Sequence, residues 1–306
     1  MNRYRINEGD FILEDFDRAV PFSSFLPGLT GEDGLPMWAF YTNRGQALGS
    51  LGINSKSEAI IEFNPACTEY ENTALKGFRT FIAADGKVYE PFRYRGDAKR
   101  TMTVRKNSLK LEEYSPEYGL NITIDYFILP KEPLGALVRR VKLENKGVRD
   151  RSVEVLDGAA KIIPRGISNG QFQEMSNLFK SWTAIGNTDK NAPIFAKRAS
   201  TEDSAKVDEI KDGYFYACVY EGRLAPFICD ADEIFGWDTS LCEPAGFEEK
   251  GLDGIPFCKE VVNKVPCAFT PIKAELKAGS AISWTSYLGF APSAQMLNER
   301  LLGYLD

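Results

Sequence analysis

Apolar and polar positions alternate with a period of two along much of the chain. "LNITIDYFIL" (120–129), "ALVRRVKLEN" (136–145) and "AISWTSYLG" (281–289) mix β-branched and aromatic residues with stretches of alternation, the pattern of half-buried strands. Turn signals separate them: Asp85-Gly86, Pro116 through Gly119, Asn145-Lys146-Gly147 and Lys277-Ala278-Gly279. Many strands at short spacing predict a mainly β chain, a large antiparallel sandwich with a few helices. No repeat, low-complexity tract or linker divides it. Two segments carry the helical period instead. In "GQFQEMSNLFKSW" (170–182), Phe172, Met175, Phe179 and Trp182 fall on one face, which predicts a helix docked over a sheet. In "PSAQMLNERLLGYLD" (292–306), Pro292 and Ser293 suit a helix start, and Leu297, Leu301 and Leu305 mark an apolar stripe. That stripe reaches the last residue without a stop signal or a partner helix in the sequence, and reads as the beginning of something longer. Between 183 and 260 the composition turns acidic and turn-rich, as in "STEDSAKVDEIKDG" and "ICDADEIFGWD", which predicts long surface excursions from the sandwich.

The 306 residues, 43% hydrophobic and 26% charged, have ordinary globular composition and can bury one large β domain or two smaller ones. A net charge of −6, with basic residues scattered along strands, argues against nucleic acid as a partner, because phosphates require clustered Lys and Arg. No apolar run approaches the roughly 20 residues that span a bilayer, so no membrane partner is expected. The start, "MNRYRINEGDFILEDFD", has no secretion-signal core, and the expected compartment is the cytoplasm. Six cysteines (Cys67, Cys218, Cys229, Cys242, Cys258 and Cys267) form no Cys-x-x-Cys pair and read as buried free thiols rather than a disulfide scaffold.

Histidine is absent. That excludes Ser-His-Asp and Cys-His catalysis and removes the commonest metal ligand. Acid–base chemistry would fall to carboxylates, tyrosine, lysine or cysteine. Asp230, Asp232 and Glu233, followed by Phe235, Trp237 and Asp238, form the densest carboxylate group near aromatics. Their spacing matches no Ca²⁺ loop, and neighbours on one chain cannot be assumed to face each other across a cleft, so they read as an acidic loop. Phosphate-cradling glycine motifs and the G-x-S-x-G elbow are also missing.

The stretch "PMWAFYTNRGQALGSLG" (36–52) is the remaining candidate. A strand over 37–42 places Trp38 and Phe40 on one face, with Met37, Ala39 and Tyr41 on the other. Asn43-Arg44-Gly45 suits a hairpin loop, with Gly45 at positive φ. Small residues on the return strand (Ala47, Gly49, Ser50, Gly52) admit another backbone or a bulky ring. Rings beside amide and guanidinium groups suit a sugar, and they suit a packed hairpin equally.

The block "FSSFLPGLTGEDGLPMWAFYTNRGQALGSLGINSKSEAIIEFNPACTEYENTALKGFRTFI" resembles the N-terminal region of glycoside phosphorylases related to cellobiose phosphorylase. Within that group it looks most like enzymes acting on β-1,3-glucans (laminari-oligosaccharides). The likeness continues through "FKSWTAIGN", "RASTEDSAKVDEIKDGYFY", "FGWDTSL" and "PCAFTPIKAELKAG", and so covers nearly the whole chain. It implies a galactose-mutarotase-like β-supersandwich over 1–290, with 183–260 as long excursions and 291–306 beginning a linker helix toward an (α/α)6 barrel. In such relatives the barrel carries an aspartate general acid, and inorganic phosphate attacks the anomeric carbon with inversion. The resemblance therefore implies a non-catalytic domain that supports a barrel, in cis or as a separate chain, and a homodimer when complete. It implies phosphate as the co-substrate of the full enzyme, with no other cofactor and no metal, and β-glucan oligosaccharides as ligands. No family ligand carries over to the hairpin. Trp38, Tyr41, Asn43, Arg44 and Gln46 stand as substrate-binding or domain-interface candidates, and no catalytic residue is assigned. The competing reading is a stand-alone carbohydrate-binding module; an epimerase on the same fold is disfavoured because that chemistry leans on histidine.

Overall fold

A computed structural model describes residues 4–26, 28–65, 67–93, 97–175, 177–199, 210–257, 260–261 and 263–305. The strands form three antiparallel sheets. The largest has 11 strands, ordered Tyr4–Asn7, Asp10–Glu14, Lys99–Val104, Ser108–Ser115, Leu120–Ile128, Gly135–Asn145, Ala281–Ala291, Gly213–Tyr220, Ile194–Lys197 and Thr183–Gly186, with Arg223–Leu224 paired to Gly213–Tyr220. A second sheet runs Ile228–Asp230, Pro266–Leu276, Arg151–Ala159, Phe78–Ala84 and Lys87–Tyr89. A third, small sheet contains Ser23–Leu26, Leu35–Thr42, Leu48–Ile53 and Ala59–Ile61, with Leu29–Thr30 beside Leu35–Thr42. This is the large antiparallel supersandwich expected from the sequence.

Alternation explains the layering. Buried and part-buried positions strictly alternate along Ser108–Ser115 and Leu120–Ile128, so one face of the large sheet points into the core. There Leu111, Ile124 and Val141 meet Ile82 and Val155 of the second sheet and Leu51 and Ile53 of the third in one hydrophobic cluster. The second sheet is buried on both faces. Its outer residues Phe81, Leu156 and Phe269 are covered by Phe235 and Phe247 from the helices Ala231–Phe235 and Ala245–Gly254.

The turns follow their residue types. Asp85 and Gly86 both take positive φ (53° and 76°) between Phe78–Ala84 and Lys87–Tyr89, as a two-residue hairpin loop requires. The 183–260 stretch contributes strands to both larger sheets, so part of what reads as excursion is edge of the sandwich. Its most acidic part, 200–209, lies outside the described residues, as does Cys258.

The segment read as one helix over 170–182 is broken. An α-helix, Asn169–Glu174, begins at a capping box from Ser168 and Gln171, and a 3-10 helix, Asn177–Trp182, follows. Phe179 and Trp182 nevertheless meet Phe172 and Met175 in one cluster, as the spacing predicts. The tail forms a helix over Ala294–Leu302, with the Ser293 hydroxyl accepting from Met296 N at 3.1 Å. Its Leu297 and Leu301 are fully buried against Ala136, Phe215 and Ala217. The stripe's partner within this chain is the outer face of the large sheet.

Candidate functional site

A cleft of about 520 Å³ opens where three segments far apart in sequence meet. The hairpin strand Lys87–Tyr89 and the following loop supply Tyr89, Glu90, Arg93 and Asp97. The tight turn after Ser108–Ser115 supplies Glu117 and Tyr118, and the start of Ala245–Gly254 supplies Glu243 and Glu248. Tyr89 and Tyr118 stack with ring centroids 4.5 Å apart and planes 18° from parallel. Both rings pack against the sandwich core and line the cleft.

Two arginines fix the wall. Arg79 is buried, its guanidinium 4.7 Å from the centroid of Phe81 and 5.3 Å from that of Phe235. It grips Glu90 with two parallel bonds, Nε to Oε1 and Nη2 to Oε2, each 2.7 Å. It also donates to the carbonyls of Leu241 and Cys242. Arg93 continues the chain of contacts, donating to Cys242 O, to Glu90 Oε2 at 3.3 Å and pairing with Glu243 Oε1 at 3.1 Å. Glu90 and Glu243 are thereby committed to cations. Asp97, Glu117 and Glu248 face solvent, with no ion pair among the described residues. A glycosidic general acid needs a carboxyl in apolar surroundings. The carboxylates of this cleft are instead ion-paired or turned to solvent.

Residues 36–52 form the predicted hairpin, strands Leu35–Thr42 and Leu48–Ile53, with Met37, Ala39 and Tyr41 inward and Trp38 and Phe40 outward. Gly45 takes φ 51°, as expected, with Ala74 Cα only 2.9 Å from where a Cβ would sit. The group that approaches the small return strand is the helix Glu69–Lys76: a Cβ on Gly49 would lie 2.2 Å from Glu69 Oε1.

The five hairpin candidates divide by environment. Asn43 is buried, donating to Phe16 O at 2.9 Å and Val20 O at 3.1 Å and accepting from Phe22 N at 2.9 Å. Arg44 donates to Asn43 O and Ala19 O. Tyr41 is buried, and burial raises its pKa against a bond from Ser24. Trp38, 39% exposed, donates Nε1 to Asn54 O at 3.0 Å and meets Phe25 edge-on at 5.5 Å. Gln46 lies deep between the sheets.

There it joins a fully buried polar network. Arg139 donates Nη2 to Gln46 Oε1 and to Thr80 Oγ1 at 3.0 Å, Nε to Tyr126 Oη at 3.1 Å, and Nη1 to Asp157 Oδ2. Asp157 also accepts from Thr80 Oγ1 at 2.7 Å and Trp284 Nε1 at 2.8 Å. Burial works against the Arg139 charge, yet Asp157 and Tyr126 hold its pKa above the ordinary arginine range. Every member is closed off from solvent, so this network fastens the layers together rather than meeting a ligand.

The acidic group near Trp237 is paired locally. Asp230 caps Ala231–Phe235, and Lys264 bridges Asp230 at 2.7 Å and Asp232 at 2.8 Å. Glu233 pairs with Lys250 at 2.8 Å. Among the described residues no cluster of His, Cys, Asp or Glu could hold a metal, and no helix is long and apolar enough to cross a membrane. Cys218 and Cys267 are buried free thiols, Cys229 is buried and Cys242 is half-buried, whereas Cys67 is exposed, against the expectation of a buried thiol.

The cleft residues escaped the sequence reading. The signal available was the repeated pairing of a tyrosine with a glutamate beside a turn, Tyr89-Glu90 and Glu117-Tyr118. Nothing local shows that the two pairs converge.

No curated protein matches the sequence. Among solved structures, the chain is similar to the polysaccharide lyase BACCELL_00875, with 11% identity and a TM-score of 0.46 over 88% of this chain and 34% of that one. It is similar to a proposed aldose 1-epimerase from Escherichia coli K12, with 9% identity and a TM-score of 0.42 over 88% of this chain and 99% of that one. It is similar also to a proposed kojibiose phosphorylase from the human microbiome, with 8% identity and a TM-score of 0.39 over 98% of this chain and 32% of that one. The chain thus spans about a third of the lyase and of the phosphorylase. The sequence model of the glycosyl hydrolase 94 supersandwich domain matches residues 89–306. By that match, which covers most of its length, the chain belongs to the glycosyl hydrolase 94 supersandwich-domain family.

Proposed function

We propose that this chain is the non-catalytic β domain of an inverting β-glucan phosphorylase, which releases α-glucose 1-phosphate from laminari-oligosaccharides with inorganic phosphate as co-substrate. The observation that carries the reading is the family match over residues 89–306. In this reading the domain supports an (α/α)6 catalytic barrel, in cis or as a separate polypeptide, and takes part in a homodimer. The segment 291–306 leads toward that barrel, and the outward aromatic face of the Leu35–Thr42 hairpin is an interface candidate. The missing histidines and the environment of the cleft carboxylates agree with a domain that does no bond cleavage of its own. Inversion by phosphate requires only one protein acid, because phosphate replaces the water-activating base.

A direct test incubates the purified chain with laminarihexaose and phosphate and assays glucose 1-phosphate. The expected result is no phosphate-dependent release; turnover by the pure chain would contradict the proposal. A stand-alone carbohydrate-binding module is the second reading, favoured by the tyrosine-floored cleft.

A further inference from the structure

The geometry points to a glycan-binding site in the cleft between Lys87–Tyr89, the Glu117-Tyr118 turn and the start of Ala245–Gly254, taking a neutral glucan oligosaccharide. The inference goes beyond a supporting role, and rests on the family reading only in its choice of glucan probes. Four features carry it.

The floor is a rigid aromatic pair, Tyr89 on Tyr118, which suits the C–H face of a pyranose ring. Around the floor stand Asp97, Glu117 and Glu248, acceptors without ion pairs among the described residues, with Arg93 as a donor. Sugar hydroxyls both donate and accept, so they match such a ring of groups.

The acidic lining does not make this a cation site, because the carboxylates do not converge closely enough to hold a metal. The walls are also held before any ligand arrives: Arg79 and Arg93 tie Glu90 to the 241–243 segment. A site fixed in advance loses little entropy on binding. Its volume of about 520 Å³ lies within the range of small-ligand sites.

The test is calorimetric titration of the full chain with laminarihexaose, with cellohexaose and, as a cationic probe, with pentalysine. At least one glucan should saturate with Kd on the order of 0.1–1 mM, unchanged in about 0.5 M NaCl because the ligand is uncharged. Glu117→Ala with Glu248→Ala, both at exposed positions that leave the fold intact, should weaken binding roughly tenfold or more. Y118A should abolish it, with the thermal midpoint reporting whether the variant is folded. Absence of heat with both glucans overturns the inference, as does binding of pentalysine alone. So does an affinity unmoved by the paired alanine substitutions but lost in W38A, which would place the site on the hairpin. Binding and phosphorolysis are read separately, so failure here leaves the proposed function standing, and the reverse.

Discussion

Asn43 joins the hairpin loop to the segment 16–22 with three hydrogen bonds, and it is closed to solvent. Removing its amide breaks all three bonds and leaves Val20 O and the Phe22 N–H without that partner, while Phe16 O keeps the bond from Ala19 N. N43A should therefore lower stability by about 2–4 kcal/mol in urea unfolding, since each lost bond and orphaned group costs about 1 kcal/mol or more. Arg139 is a more demanding case. Its bonds reach Gln46, 93 residues away, and Asp157 in the facing sheet. R139L leaves Asp157 as a buried, uncompensated charge and should cost about 3–5 kcal/mol, or prevent folding. The carboxyl of Glu69 behaves differently: burial raises its pKa, despite bonds from Ser50 and Asn64. A raised folded-state pKa means that its contribution is fully present below the ordinary carboxyl range and fades as pH rises through the raised value. E69Q should accordingly flatten the fall in melting temperature that sets in as pH rises above the ordinary carboxyl range. A polar loop was legible at 43–46, but its burial was not, because Asn43 and Arg44 are satisfied by the segment 16–22 and Gln46 by strands far away in sequence.

The secondary elements were legible wherever a period ran undisturbed. Leu120–Ile128 and Gly135–Asn145 lie within a residue or so of the alternating stretches; the first alternates along its whole length, and the second does so from Arg139 onward, its first residues being buried on both faces. The Asn169–Trp182 segment broke into two helices because a hydrophobic spacing fixes which side chains meet, not how the backbone between them is wound. The tail stripe was equally visible, but an apolar stripe does not specify its cover, and here that cover is a sheet. The small residues of Leu48–Ile53 follow the same logic: they admit the helix Glu69–Lys76. G49A forces a Cβ toward Glu69 and Thr73 and should destabilise the chain by about 1–3 kcal/mol, measured as a shift in urea midpoint. Thiol labelling reports on the same layers. Cys67 should react with Ellman's reagent in the native state, and C67S should lower the native-state signal by one equivalent. Cys218, whose pKa burial pushes up to about 12, should react only on unfolding.

At the scale of the molecule, three sheets and their covering helices form one sandwich whose polar core joins all layers. A large antiparallel sandwich followed from strand count and turn spacing; its division into three sheets did not. Nor did the cleft, since its residues come from positions near 90, 118 and 245 that only the packed fold brings together. In our proposal its carboxylates and tyrosines hold a glucan, and the bond cleavage belongs to a barrel. The most direct measurement mixes this chain with a separately expressed (α/α)6 barrel polypeptide of a β-1,3-glucan phosphorylase and follows glucose 1-phosphate formed from laminarihexaose and phosphate. The expected result is a stable complex and phosphate-dependent release that requires the barrel. Release by this chain alone, or a barrel that neither binds the chain nor gains activity from it, would contradict the account.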